Sequence, residues 1–442
     1  MPLPTRTLKR GRLRAIVLLL VAAVIGACSG VRPAATPPTT AAAATRGSGG
    51  INQPGHRDKP HVVLVSFDGF RADYLETFDL PSFRRVKQRG AAARTMRPVF
   101  PSLTFPNHYS LVTGLRPERH GIVGNSFYDP VRGQSYALSD RDAVGDGTWY
   151  RGEPIWVTAE RQGMVAACFF WPGSEAAIGG IRPTYWKPYD GEIPNDDRVK
   201  AVLEWLRLPD ERRPHLITLY FSELDSASHR SPLGSPAVGQ ALQSLDRTLG
   251  VLLDGIDALA IRDQVYLVLT SDHGMVETAT SQAIALDSLI DTTDVRMGFG
   301  GPVASLHVAG GSTGATLVRN QINSRLQRGR AYLRREVPAR FHYRADPRIG
   351  DVVVVMDEGW TLHASPPEAR PDRPRWGMHG WDPVLPSMAA LFLIAGPGVR
   401  AGVTIPAIDN VDVYPLLTEL LGLRAPADLD GQPGRIHRQV MR

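Results

Sequence analysis

From residue 61 onward, short unbroken apolar runs alternate with stretches in which apolar positions recur every three or four residues. The runs at 61–67, 164–170, 216–221 and 265–270 are rich in β-branched and aromatic side chains, which predicts strands. None of them alternates apolar with polar, so each predicts a strand covered on both faces, as in a parallel sheet with crossover helices. Helical spacing predicts helices over 81–89, 106–114, 153–162, 197–206, 237–253 and 411–421. The fold class that follows is α/β, with a mostly parallel central sheet and helices on both faces. The stretch 291–349 is less regular and reads as a small inserted subdomain.

The first sixty residues follow neither pattern. Arg6, Lys9, Arg10, Arg12 and Arg14 precede an apolar run at 15–27, which is too short to span a bilayer as a stable helix and has the layout of a secretory signal. That run ends Gly26-Ala27-Cys28-Ser29 and resembles a bacterial lipoprotein box, which implies cleavage after residue 27 and a lipid on Cys28. Residues 28–59 are largely Ala, Thr, Pro and Gly, with too little apolar surface to offset the entropy of ordering, so they read as a flexible tether. The expected organisation is a signal peptide at 1–27, a lipidated tether at 28–59 and one catalytic domain at 60–442. The expected location is outside the cytoplasm, in the periplasm on a membrane anchor.

Charge changes this picture little. The formal net charge of +6 falls to +1 once the five leader cations are subtracted, so nothing marks a basic nucleic-acid surface and no sequence-specific nucleic-acid binding is expected. Cys28 and Cys168 are the only cysteines, so no disulfide framework supports an exported domain, and Cys168 sits inside an apolar run as a packing residue.

The chemistry stands where the predicted strands end. Asp68-Gly69 follows the first, Asp225-x-x-x-His229 the third and Asp272-His273-Gly274 the fourth. In open α/β sheets ligands bind outside the carboxyl ends of strands. Three carboxylates gathered there without a cation would be driven towards protonation, so they favour a multivalent metal, and their histidine neighbours favour zinc over magnesium or calcium. Thr104, between Pro101 and Pro106, precedes a predicted helix whose N-terminus favours both a phosphate and an alkoxide.

Read together, Ser66-Phe67-Asp68-Gly69-Phe70, Thr104-Phe105-Pro106-Asn107-His108, Thr113-Gly114 with His120-Gly121-Ile122-Val123-Gly124-Asn125, Trp171-Pro172-Gly173-Ser174, Asp225-x-x-x-His229, Thr270-Ser271-Asp272-His273-Gly274-Met275 and Gly377-Met378-His379-Gly380 resemble the nucleotide pyrophosphatase/phosphodiesterase family of the alkaline phosphatase superfamily. The resemblance runs from about residue 61 to 423 in the family's order. It implies an alkaline phosphatase-like fold and two zinc ions, with Asp225, His229 and His379 on one and Asp68, Thr104, Asp272 and His273 on the other. It further implies that Thr104 attacks phosphorus to give a covalent intermediate. It also implies that Asn125 donates to a nonbridging oxygen and that Phe105 and Tyr189 form a slot for a nucleobase, with Trp171 and Tyr220 as further lining. The expected substrates are nucleotides or their esters, released as nucleoside 5′-monophosphates. A phosphomonoesterase, a phosphonate or phospholipid hydrolase, or a non-catalytic binding lipoprotein would use the same framework. His108, His120 and His363 are expected to be structural, because the other residues already fill two metal sites. Without cysteine-rich modules or a trailing nuclease-like domain, the sequence resembles a stand-alone bacterial catalytic domain.

Overall fold

The computed structural model describes residues 48–366 and 375–442; the leader, Cys28 and most of the tether lie outside the described residues. Strands form at His61–Phe67, Leu216–Phe221 and Val265–Thr270, and a shorter one at Ala166–Phe169. They belong to an eight-stranded sheet in which Val265–Thr270, His61–Phe67, Leu216–Phe221, Ala166–Phe169 and Tyr185–Lys187 run side by side and parallel. Phe392–Ala395 continues the sheet antiparallel to Val265–Thr270, followed by Ala91–Ala93 and Val403–Ile405.

Alternate residues of each run serve opposite faces, which is why apolar and polar positions do not alternate along them. Val62, Leu64, Leu216 and Val268 pack with Tyr109, Val112, Trp156 and Leu417 on one face. Val63, Val65, Phe67, Leu219 and Leu269 pack with Phe83, Val199, Leu242 and Leu249 on the other. The helices that supply these side chains include Pro81–Arg89, Thr104–Thr113, Ile155–Arg161, Asn195–Leu206, Pro236–Asp257 and Val413–Leu421.

The inserted subdomain has its own core. Val295–Phe299, Val303–Val308, Val352–Met356 and Gly329–Leu333 form an antiparallel sheet in that order, covered by the helix Gly311–Arg325 through Ala315, Val318 and Ile322. It therefore runs past the expected boundary at Ile349, because the all-valine stretch 352–355 supplies its central strand.

At the amino ends of the parallel strands the chain is clamped. Buried Glu160 accepts hydrogen bonds from Ser48 N and Oγ, from Ala166 N and from Thr184 N. Buried Asn52 donates to Asp210 O and Arg213 O and accepts from Val165 N. His61 and His215 stack beside this clamp at 4.4 Å, each with Nδ1 on a proline carbonyl of the other's strand, Pro214 O and Pro60 O.

Candidate active site at the carboxyl edge

The three adjacent central strands each end on an acid. Asp68 directly follows His61–Phe67, Asp272 and His273 follow Val265–Thr270 after Ser271, and Asp225 and His229 lie one turn apart on the helix Glu223–Arg230 that follows Leu216–Phe221. His379 comes in from the end of the strand Arg375–Met378. The turn at Gly69 lets these groups close up: its φ is +71°, its N–H donates to Asp272 Oδ1 at 3.1 Å, and a Cβ there would lie 3.3 Å from Asp225 Cα.

The three histidines are held alike. Nδ1 of His229 lies 2.9 Å from Gly377 O, that of His273 2.9 Å from Gly274 O, and that of His379 2.9 Å from Ser102 O. A carbonyl only accepts, so each Nδ1 carries the proton and each Nε2 turns a lone pair towards the acids, the tautomer a metal ligand needs. His273 Nε2 stands 2.9 Å from Asp272 Oδ2 and 3.4 Å from Asp68 Oδ1, and Asp225 Oδ1 stands 3.2 Å from His229 Nε2 and 3.6 Å from His379 Nε2.

Asp68 Oδ1, Asp225 Oδ1 and Asp272 Oδ2 are buried with no hydrogen-bond donor. Acceptor facing acceptor at such distances is stable only with a cation or a proton between them. Asp225, His229 and His379 can share one ion, and Asp68, Asp225 and His273 converge on another point. The donor set, three carboxylate oxygens and three imidazole nitrogens, suits zinc.

Electrostatics agrees with this geometry. Burial, then the neighbouring Asp272 and Asp225, push the Asp68 carboxyl well above its usual range. Burial also works against the Asp272 anion, but attraction from His273 and His108 in their protonated forms outweighs it and holds that carboxyl well below the usual range. Burial takes the His379 imidazole down to about 3, with His273 stacked on it at 3.5 Å adding to the effect.

Thr104 is the first residue of its helix, two positions earlier than the spacing predicts. The N-cap position belongs to Leu103, so the Thr104 hydroxyl is not used as a cap; it lies 3.4 Å from His273 Nε2. Asn125 Oδ1 accepts from Phe105 N at 2.9 Å, which leaves the Asn125 amide NH₂ as the group free to donate. Pro106 has no N–H. The donors remaining at this helix start are therefore the Thr104 N–H and the Asn125 amide.

The aromatic residues separate. Phe105 is half-buried beside Thr104, its ring 6.3 Å from Tyr136. Tyr189 is 40% exposed, 6.2 Å from the Tyr220 ring, with its hydroxyl 3.1 Å from Ser222 Oγ. Trp171 is only 1% exposed and donates to His108 O, so it lies beneath the helix Thr104–Thr113 and not on an open wall. Tyr220 is buried too, and its hydroxyl donates to Asp68 Oδ2 at 2.5 Å, a contact its place inside an apolar run does not advertise.

His108 has both nitrogens engaged, Nε2 with Ser66 Oγ at 2.7 Å and Nδ1 with Thr104 O at 2.9 Å, while its ring also reaches Asp272 Oδ2 at 3.4 Å. It fixes the first helical turn against the first strand. The signal for this is its position four residues after Thr104. His120 and His363 hydrogen-bond Ser110 and Thr361, away from the acids.

Comparison with known proteins gives one consistent answer. The family model described as type I phosphodiesterase / nucleotide pyrophosphatase matches residues 62–382. Human ectonucleotide pyrophosphatase/phosphodiesterase family member 1 is 38% identical over 390 residues, which cover 86% of this chain and 42% of that protein. A venom phosphodiesterase of Crotalus durissus collilineatus is 37% identical over 401 residues, 88% of this chain and 47% of its own length. The chain thus spans less than half the length of these curated relatives. The solved structure of murine ectonucleotide pyrophosphatase/phosphodiesterase 5, an inactive threonine-to-alanine variant in complex with AMP, superposes with a TM-score of 0.80 at 32% identity, covering 86% of this chain and 100% of that one.

Proposed function

The chain belongs to the type I phosphodiesterase / nucleotide pyrophosphatase family, and from that premise we propose that it hydrolyses phosphodiester and pyrophosphate bonds of nucleotides, releasing nucleoside 5′-monophosphates. The observation that carries this reading is the uncapped Thr104 hydroxyl at a helix N-terminus, 3.4 Å from His273 Nε2 and beside three buried carboxylate oxygens without donors. The AMP complex of the murine relative supports a nucleotide as substrate.

Asp225, His229 and His379 would hold one zinc ion, and Asp68, Thr104 and Asp272, which all approach His273 Nε2, would with that histidine hold a second, so that three carboxylates and a Thr104 alkoxide balance the charge of both. When bound, the ions supply Lewis acidity at the phosphoryl oxygens and favour deprotonation of the attacking hydroxyl groups. Thr104 Oγ1 forms the new bond to phosphorus as the bond to the leaving oxygen breaks; water then takes the place of Oγ1 and frees the threonine. Asn125 donates its amide to a nonbridging oxygen through both steps, oriented by its bond to Phe105 N. Phe105 and Tyr189 stack on the base and lend binding energy to the reaction at phosphorus.

Among the described residues no helix is long and apolar enough to cross a membrane. The basic and apolar leader supports export, with Cys28 as the point of lipid attachment.

The test is a substrate panel on the zinc-loaded protein. The p-nitrophenyl ester of a nucleoside 5′-monophosphate should be preferred over p-nitrophenyl phosphate, metal analysis should find close to two zinc ions per chain, and chelation should abolish turnover until zinc is restored. A preference for p-nitrophenyl phosphate would replace the diesterase reading with a monoesterase one.

A further inference from the structure

Arg198 lies on the helix Asn195–Leu206, outside the reacting groups, yet it is only 3% exposed. Its guanidinium donates from Nε to Ile193 O at 3.0 Å, from Nη1 to Tyr220 O at 3.1 Å and from Nη2 to Gly191 O at 3.4 Å. These carbonyls belong to two separate pieces of chain. Gly191 and Ile193 are in the loop that carries Tyr189, and Tyr220 is in the strand whose hydroxyl holds Asp68.

Beside the loop lies an open cleft of about 650 Å³, lined by Tyr189, Ile193, Ser222, Glu223 and Ser226 among others. Ile193 packs against the core of this face, and the arginine fork ties the loop's backbone at Gly191 and Ile193 to the strand Leu216–Phe221. Phe170 gives a second, independent sign of constraint here. Its φ of +66° is rare for a side chain with a Cβ, and its ring sits 5.3 Å from Tyr189 and 5.1 Å from the Arg198 guanidinium.

We propose that Arg198 is a positioning residue that fixes Tyr189 relative to the metal-binding edge and thereby sets the selectivity for nucleoside-bearing substrates. The substrate part of this inference rests on the function proposed above. A guanidinium is required because one planar group must serve carbonyls in two directions; a lysine ammonium is a point donor on a flexible stem and cannot bridge them all.

The test uses the full zinc-loaded chain with Arg198→Lys and Arg198→Met. Hydrogen exchange at residues 188–194 should accelerate in both variants while the strand His61–Phe67 stays protected. For the nucleoside ester, KM should rise about 5- to 50-fold with kcat within about threefold, and bis-p-nitrophenyl phosphate should be affected less than about twofold, as expected for loss of one stacked ring. In a Tyr189→Ala background the Arg198→Lys effect should largely vanish, because both changes remove the same contact.

Unchanged exchange at 188–194, equal losses on both substrates, or effects that multiply in the double variant would each overturn the proposal. If Arg198→Met fails to fold, Arg198→Lys carries every readout. If the wild type shows no preference for the nucleoside ester, the proposed function falls, and the exchange rates at 188–194 alone decide whether Arg198 positions the loop.

Discussion

Thr104 carries a methyl group that its proposed chemistry does not use. Thr104→Ser should therefore keep appreciable turnover, while Thr104→Ala should lose at least about two to three orders of magnitude in kcat, measured on the nucleoside ester. Wild-type rates in the alanine variant would mean direct attack by water. Phe105→Ala or Tyr189→Ala should cost about 5- to 150-fold in kcat/KM on the nucleoside ester, the equivalent of about 1–3 kcal/mol of base stacking, with little change on bis-p-nitrophenyl phosphate. At this scale Asp68, Asp225, His229, Asp272 and His273 were readable because they stand past apolar runs, where hydrophobicity gives no reason for a charge, whereas His379 follows no such run and came only from the family resemblance. Tyr220 was named only as lining of the base slot, and neither its bond to Asp68 nor the place of Arg198 was readable. A tyrosine within a strand and an arginine on an amphipathic helix look like ordinary packing and ordinary surface, and only the fold shows that one hydroxyl meets Asp68 and one guanidinium meets two loop carbonyls.

Among the elements, the long central strands were legible because burial on both faces writes an unbroken apolar run. Ala91–Ala93 was not, since three alanines have no β-branched signature; small residues suit a place where a Cβ on the preceding Gly90 would meet Ile394 O at 1.9 Å. The same close packing governs the turn after Asp272 and His273. A Cβ on Gly274 would lie 2.0 Å from Ser387 O, and Gly274 N donates to Met388 O at 3.0 Å. Gly274→Ala should thus push the turn off its seat, destabilising the fold by about 1–3 kcal/mol as overpacking commonly does. Calorimetry should show a lower melting temperature, and titration a weaker zinc affinity. A variant with unchanged melting and zinc binding would show that the turn yields freely.

For the molecule as a whole, acid should be a specific weakness at the end of the sheet remote from the chemistry. Burial, reinforced by His215, lowers the His61 imidazole to about 3, and burial lowers His215 as well. An unfolded histidine titrates near 6.5, so between about pH 6.5 and 3 the unfolded chain binds more protons than the folded one, and stability falls as pH falls through that window. Melting temperature measured against pH should drop there in the wild type, and less steeply in a His61→Gln variant. Parallel curves would show that the stacked pair does not contribute.

The clamp formed by Glu160 and Asn52 also gives the molecule a sidedness. It seizes the chain at Ser48–Asn52 at the amino ends of the parallel strands, whereas Thr104 and the acids crowd the carboxyl ends. Strands of six or seven residues at about 3.3 Å each hold these two ends about 20 Å apart. The chain therefore enters the described domain at the end of the sheet opposite the edge where Thr104 and the acids gather.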